Sequence, residues 1–172
     1  MNRISKGIIS WSLFEYQNWQ FYLAATSKGL CYVGSPNSPF DELKNWVMYH
    51  FPQDELKKTT TMLEPCKTEF REYLQGKRET FTFPVDIRGT EFQQKIWHTL
   101  NQIPYGATYT YTQIAELAQR PSAVRAVGTA IGANPVLISV PCHRVIGKNG
   151  KLTGYRGGLE MKKQLLHLEK KL

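Results

Sequence analysis

The sequence predicts an α+β protein of two small domains: a sheet-and-helix domain over residues 1–84, and a mostly helical domain with a helix-turn-helix over residues 85–172. Three observations carry this. Segments rich in aromatic and β-branched residues crowd the N-terminal end, separated by turn residues. The second half contains two capping-box sequences, each opening an apolar helical stripe. Charge is also unevenly spread: residues 1–85 hold 10 Lys+Arg against 9 Asp+Glu, and residues 86–172 hold 12 against 5. A basic second half points to a polyanionic partner or to an ordinary basic surface.

The elements follow in order. IISWSLF and WQFYLAAT read as strands, Ser27-Lys28-Gly29 as a turn, and LCYVGS as a third strand of a small antiparallel sheet. Ser38-Pro39 opens a helix over PFDELKNWVMYHF, with proline at its first position. A second helix over 63–75 places Leu63, Phe70, Tyr73 and Leu74 on one face and stops at Gly76. FTFPVDIRG reads as a short strand running into a linker, and Pro84 to Gly89 marks the domain boundary.

In the second half, Thr90-Glu91-Phe92-Gln93 caps a helix with Phe92, Ile96, Trp97 and Leu100 as its apolar stripe. Thr110-Tyr111-Thr112-Gln113 repeats the pattern ahead of Ile114, Ala115, Leu117 and Ala118. After a break at Gln119-Arg120-Pro121, Ser122 is expected to cap a third helix, AVRAVGTAIGA, ended by Asn134-Pro135. Two short helices joined by a tight turn resemble a helix-turn-helix. The second is nearly bare: Ala123, Ala126, Gly128, Thr129, Ala130, Gly132 and Ala133 leave Arg125 as its one long polar side chain. Such a helix suits close approach to a DNA backbone or minor groove, or tight helix packing. VLISV (136–140) reads as a buried strand. The last helix, 159–171, carries Met161, Leu165, Leu168 and Leu172 as its stripe; Glu169 and Lys162 lie at its flank, facing a partner or forming a polar edge.

The composition, 41% hydrophobic and 21% charged, is that of an ordinary globular protein. No apolar run approaches the roughly 20 residues of a membrane span. MNRISKGIISWSLF lacks the pattern of a signal peptide, so a cytoplasmic protein is expected. Cys31, Cys66 and Cys142 form neither a pairing pattern nor C-x-x-C, so no disulfide, metal or other cofactor is expected. Cys31 and Cys66 read as small buried hydrophobes, with a scattered site of Cys31, Cys66 and His50 as the weaker alternative.

Cys142 is different, because PCHR sets a thiol between proline and a histidine–arginine pair. A thiol is a strong nucleophile only as thiolate, which needs a base or positive charge nearby. His143 supplies a base, but neighbours in extended chain point to opposite sides. Direct proton transfer therefore needs a sharp turn or a bridging water. The imidazole would also benefit from a carboxylate that fixes its tautomer, and Glu169 is a candidate. Asn134 either ties two chain segments together or caps a helix; Tyr155 and Arg156, between glycines, wall a pocket or lie on the surface. Arg144 lowers the thiol pKa or braces the loop.

PCHRV, preceded by GANP and followed by GYRGGL, resembles the active-site region of the O6-alkylguanine-DNA alkyltransferases, or methylated-DNA–protein-cysteine methyltransferases. The resemblance continues through TYTQIAELAQRPSAVRAVG, that family's helix-turn-helix, and covers most of residues 80–172. It implies a ribonuclease-H-like N-terminal domain and a monomer acting on double-stranded DNA that carries O6-alkylguanine. It implies Cys142 as alkyl acceptor, His143 as its activator through a water, Glu169 as the orienter of His143, and Asn134 as a hinge. Tyr111 would assist the guanine leaving group at its N3. Arg125 would enter the duplex in place of a flipped nucleotide, on the helix bearing Ala123, Ala126 and Gly128. Tyr155 would line the pocket, and the backbone carbonyls of Cys142 and Val145 would read the guanine exocyclic amine. Mammalian members carry serine where this chain has Arg156, so its contact to O6 stays open; they also bind zinc, for which no ligands match here.

The chemistry so implied is attack of the thiolate on the carbon attached to guanine O6. The resulting thioether resists water, so each molecule repairs one lesion. The competing expectations are a cysteine hydrolase using Cys142, His143 and Glu169, and a helix-turn-helix regulator in which Cys142 is structural.

Overall fold

The computed structural model describes residues 6–170. Three strands, β1 (Ile8–Tyr16), β2 (Trp19–Thr26) and β3 (Gly29–Val33), form the expected antiparallel meander. Helix α1 (Phe40–His50) follows, with Pro39 just outside its first turn rather than within it. A fourth strand, β4 (Glu55–Lys58), then pairs parallel with β1, giving the order β3-β2-β1-β4. ELKK carries no strand signal, since Leu56 is its one apolar residue. Charges suit a sheet edge, where one side of the strand meets water.

Helix α2 (Glu64–Leu74) crosses one face of the sheet and stops at Gly76, whose φ of +74° suits a residue without a Cβ. Phe14, Phe21 and Phe70 stack between sheet and helix, while α1 covers a second, smaller core around Leu43, Val47 and Tyr32. Cys31 and Cys66 are buried in these different cores.

The expected strand in FTFPVDIRG reduces to one bridge, Leu30 to Val85, held by Leu30 N–H to Pro84 O at 3.0 Å and Asp86 N–H to Leu30 O at 2.8 Å. Pro84 has no N–H to extend a ladder, and Phe81 and Phe83 instead pack on Phe70.

Both capping boxes form, at Thr90 with Gln93 and at Thr110 with Gln113. They start α3 (Glu91–Leu100) and α4 (Tyr111–Leu117); α5 (Val124–Gly132) completes the helix-turn-helix. Ser122 does not cap α5: the residue before the helix is Ala123, with no side chain on the first-turn amides. The intervening turn is drawn tight by Arg120 N–H to Ala115 O and Ala123 N–H to Arg120 O, leaving Ser122 exposed. Trp97 of α3 donates to Ala130 O at 2.8 Å, pinning α5 from behind.

VLISV is buried as expected but is not a strand. It coils through tight turns, with Ile138 at φ +71°, and touches β3 through a single Val33–Val136 bridge. Burial and regularity are separate properties here, because the run's backbone groups are satisfied locally: Val140 N–H to Val136 O, Ser139 N–H to Leu137 O, and two bonds from Asn134. A short helical turn, Cys142–Arg144, leads to β6 (Val145–Ile146), which pairs with β5 (Tyr109–Thr110) just before α4. The last helix, α6 (Leu159–Glu169), buries Met161 and Leu165 and half-buries Leu168; Leu172 lies outside the described residues. Among the described residues, no helix is long and apolar enough to cross a membrane.

Candidate functional site

Cys142 opens the helical turn, and its thiol accepts a hydrogen bond from the Asn134 Nδ2 at 3.2 Å. The same amide donates to Val140 O at 2.9 Å, while its oxygen accepts from Val136 N–H at 2.9 Å. One buried asparagine therefore fixes the end of α5, the coil and the sulfur together. Burial pushes the thiol up from its ordinary range; the Asn134 donor and the positive charges of Arg156 and Lys162 oppose that rise.

His143 is fully buried, and its Nε2 lies 2.8 Å from Glu169 Oε1. Burial lowers its proton affinity, as do Arg144 and Lys162, and the Glu169 carboxylate opposes them. Glu169 would itself be raised by burial. Hydrogen bonds from His143, Arg144 and Tyr73 outweigh this and hold it at about 2. An ionised carboxylate only accepts, so Nε2 carries the imidazole proton and Nδ1 presents the basic lone pair. Among the described residues, no protein group bonds to that Nδ1, the adjacent thiol included.

Arg144 is the brace of this site. Its Nε and Nη2 grip both Glu169 oxygens at 2.8–3.1 Å, and Nη1 donates to Ile103 O at 2.7 Å. Of the two sequence expectations for Glu169 and Lys162, the polar edge is excluded. Lys162 is fully buried, with Nζ on the carbonyls of Thr153 and Gly154 and its proton affinity brought down to about 8 by burial.

The thiol opens on a cavity of about 280 Å³ walled by Tyr111, Gly128, Ile131, Gly132, Gly154, Tyr155 and Arg156. Tyr111 closes one side, its hydroxyl bonded to Thr153 O at 3.1 Å. The Tyr155 hydroxyl is buried beside it with no hydrogen-bond partner among the described residues. Arg156 borders the cavity, but its guanidinium is committed elsewhere. It donates to the carbonyls of Val33, Asn134 and Pro135, pairs with Glu42 at 3.1 Å, and lies over the Tyr32 ring. Arg125, Ala123 and Ala126 lie apart from the thiol, lining an open groove with Phe92 and Gln93 on another side of α5. Val145 is buried in β6 and does not border the cavity.

Tyr73 is a site residue whose part periodicity does not show. Tyr73, on α2, donates to Glu169 Oε1 at 2.5 Å. In the sequence it is one more member of an apolar stripe; its hydroxyl is the only signal, because a buried phenol needs a partner.

A polarised histidine beside one buried thiol, at the back of a helix-turn-helix, defines a DNA-binding protein with a single reactive cysteine. Comparisons narrow the class. Residues 9–87 match the ribonuclease-like domain, and residues 91–171 the DNA binding domain, of 6-O-methylguanine DNA methyltransferase. The inducible methylated-DNA–protein-cysteine methyltransferase of Bacillus subtilis is 55% identical over 97% of this chain and 93% of its own. A methylated-DNA–protein-cysteine methyltransferase of Methanosarcina barkeri is 42% identical over 86% of this chain and 88% of its own. The crystal structure of Mycobacterium tuberculosis O6-methylguanine methyltransferase superposes with a TM-score of 0.82, at 34% identity, covering 95% of this chain and 93% of that one. Mycobacterium tuberculosis OGT in complex with DNA gives 0.81 at 35% identity, covering 94% and 93%. The chain belongs to the 6-O-methylguanine DNA methyltransferase family.

Proposed function

We propose that this chain repairs duplex DNA by transferring a methyl or other small alkyl group from guanine O6 to Cys142, once per molecule. One observation carries the assignment of roles: a histidine oriented by an ionised glutamate presents a free Nδ1 next to a buried thiol that opens on a small cavity. Cys142 is only 5% exposed where it meets the cavity, which suits a thiol whose proton must pass to a dedicated base. Since Nδ1 and Sγ do not bond directly, a single water is the natural carrier between them.

In the reaction, the Cys142 proton passes to His143 Nδ1, and Glu169 stabilises the imidazolium that results. The Sγ electron pair attacks the alkyl carbon, an S–C bond forms, and the C–O6 bond breaks with its pair left on guanine. The Tyr111 hydroxyl protonates guanine at N3 and is reprotonated by solvent, to which His143 later releases the proton it took from the thiol; the Tyr155 hydroxyl, without a partner among the described residues, is available to the base within the cavity. The protein binds DNA. In the duplex a target base is stacked away from any buried thiol, so it must flip out at a cost of a few kcal/mol. Arg125 fills the gap it leaves, and the small side chains Ala123 and Ala126, with Gly128, let α5 approach the strand closely. Phosphate contacts from the basic half offset the flipping cost. The carbonyl of Cys142, which borders the cavity, reads the exocyclic amine once the base is seated. We further propose that the chain acts as a cytoplasmic monomer, with the catalytic domain starting near residue 85.

The test is incubation with duplex DNA carrying radiolabelled O6-methylguanine, followed by peptide mapping. Label is expected on the Cys142 peptide, saturating near one per chain, and Cys142→Ala should bind DNA without taking label. Continuous turnover into small molecules would show a hydrolase; DNA binding with full activity in Cys142→Ala would overturn the assignment.

A further inference from the structure

The first domain reaches into the chemistry of the second through one side chain. Tyr73 leaves α2, is fully buried, and donates its hydroxyl proton to Glu169 Oε1 at 2.5 Å. That oxygen also receives His143 Nε2 at 2.8 Å and Arg144 Nη2 at 2.8 Å. The phenol ring packs against Phe81 and Tyr105. Tyr73 Oη also sits 3.4 Å from His143 Nε2, too long for a strong bond beside the 2.8 Å contact that the same nitrogen makes.

We propose that Tyr73 is a positioning residue for alkyl transfer: it anchors Glu169 and takes up part of the carboxylate charge, setting how readily His143 accepts the thiol proton. The proposal rests on the relay assigned above. A carboxylate oxygen shared among three donors offers less charge to each. With Tyr73 removed, Glu169 binds the His143 N–H more strongly and favours the imidazolium. Other charged groups also face the imidazole. Arg144, on the same helical turn, and Lys162, on α6, disfavour its positive charge, and Glu169 favours it. Tyr105, in the loop after α3, packs edge-on against the Tyr73 ring, and the Cys142 thiol is neutral at rest.

Tyr73→Phe deletes one oxygen and keeps the ring. It is expected to leave DNA affinity unchanged and to move the acidic limb of the single-turnover transfer rate to higher pH, by about 0.5 or more, because His143 becomes easier to protonate. Site-specific fluorotyrosine at position 73 keeps the shape, strengthens donation, and should move the limb to lower pH. A structural role alone would scale the rate without moving the limb. Unmoved limbs in both variants, or limbs moving the opposite way, would overturn the proposal. Titration of the His143 ring nitrogens by NMR, read without substrate, must show the same order of proton affinity. It also separates the two ideas: if the parent protein transfers no alkyl group the function fails, while the titration still judges Tyr73.

Discussion

Glu169→Gln tests how far the site depends on one buried charge. The side chain keeps its shape, but an amide nitrogen replaces one of two oxygens that now accept from His143, Tyr73, Arg144 and the Gly106 N–H. At least one donor then faces a donor, and the Arg144 guanidinium, 9% exposed, loses its counter-charge. Each tenfold change in proton affinity is worth about 1.4 kcal/mol. Depression of the carboxyl from an ordinary 4.5 to about 2 therefore corresponds to about 3 kcal/mol. Breaking a buried ion pair by removing one member costs about 3–5 kcal/mol, which measures the same loss rather than an additional one. Urea unfolding at pH 7 should thus show the variant about 3–5 kcal/mol less stable, a large part of the stability of a small protein. The pH dependence is specific. A carboxyl depressed in the folded state stabilises above its unfolded value and loses that contribution as pH falls toward its folded one. The gap between parent and variant should accordingly narrow as pH drops below about 4.5 toward 2. A gap under about 1 kcal/mol at pH 7, or one that stays constant from pH 5 to pH 3, would refute the reasoning.

Two further substitutions probe the thiol and its cavity. Asn134→Ala strands the Val136 N–H, takes away one of the two donors to the Val140 carbonyl, which keeps the Cys142 N–H, and removes the donor to Sγ. Unfolding should show a loss of about 2–4 kcal/mol, and the thiol, deprived of that donor, should alkylate more slowly at neutral pH; stability equal to the parent's would contradict this. Gly157→Ala puts a Cβ 2.7 Å from both Met161 Sδ and Tyr155 Cε1. The Tyr155 wall must shift, so single-turnover transfer should fall about tenfold or more with DNA affinity kept, and retention of the full rate would show that this wall is not needed.

Legibility differed between elements for physical reasons. The two capping boxes and the stripes of α2 and α3 were readable because they are local: a side chain three residues away meets an amide whatever the remote environment. β4 was not, because its pairing is made by β1 some 47 residues earlier and its own letters are charged. VLISV misled for the opposite reason, since an apolar run reports burial, while Asn134 and the turn bonds decide its backbone shape. At the site, PCHR announced a reactive thiol, and Glu169 could be suspected from its place beside an apolar stripe. For Arg144 the sequence leaves two readings open, and its fork on Glu169 shows it as a brace. Arg156, for which the sequence leaves contact to O6 open, borders the cavity with a guanidinium tied to Glu42 and to carbonyls of both domains.

By itself, then, the sequence determined the two-part α+β organisation, the helix-turn-helix with its slim second helix, and the cysteine to which we assign the chemistry. Each of these is written in neighbouring residues. Only the tertiary structure decided how the thiol is served: that His143 turns its Nδ1 free, that Lys162 is buried, and that Tyr73 crosses from the first domain to Glu169, 96 residues away. Proton affinities depend on distance and burial in space, and chain order carries neither.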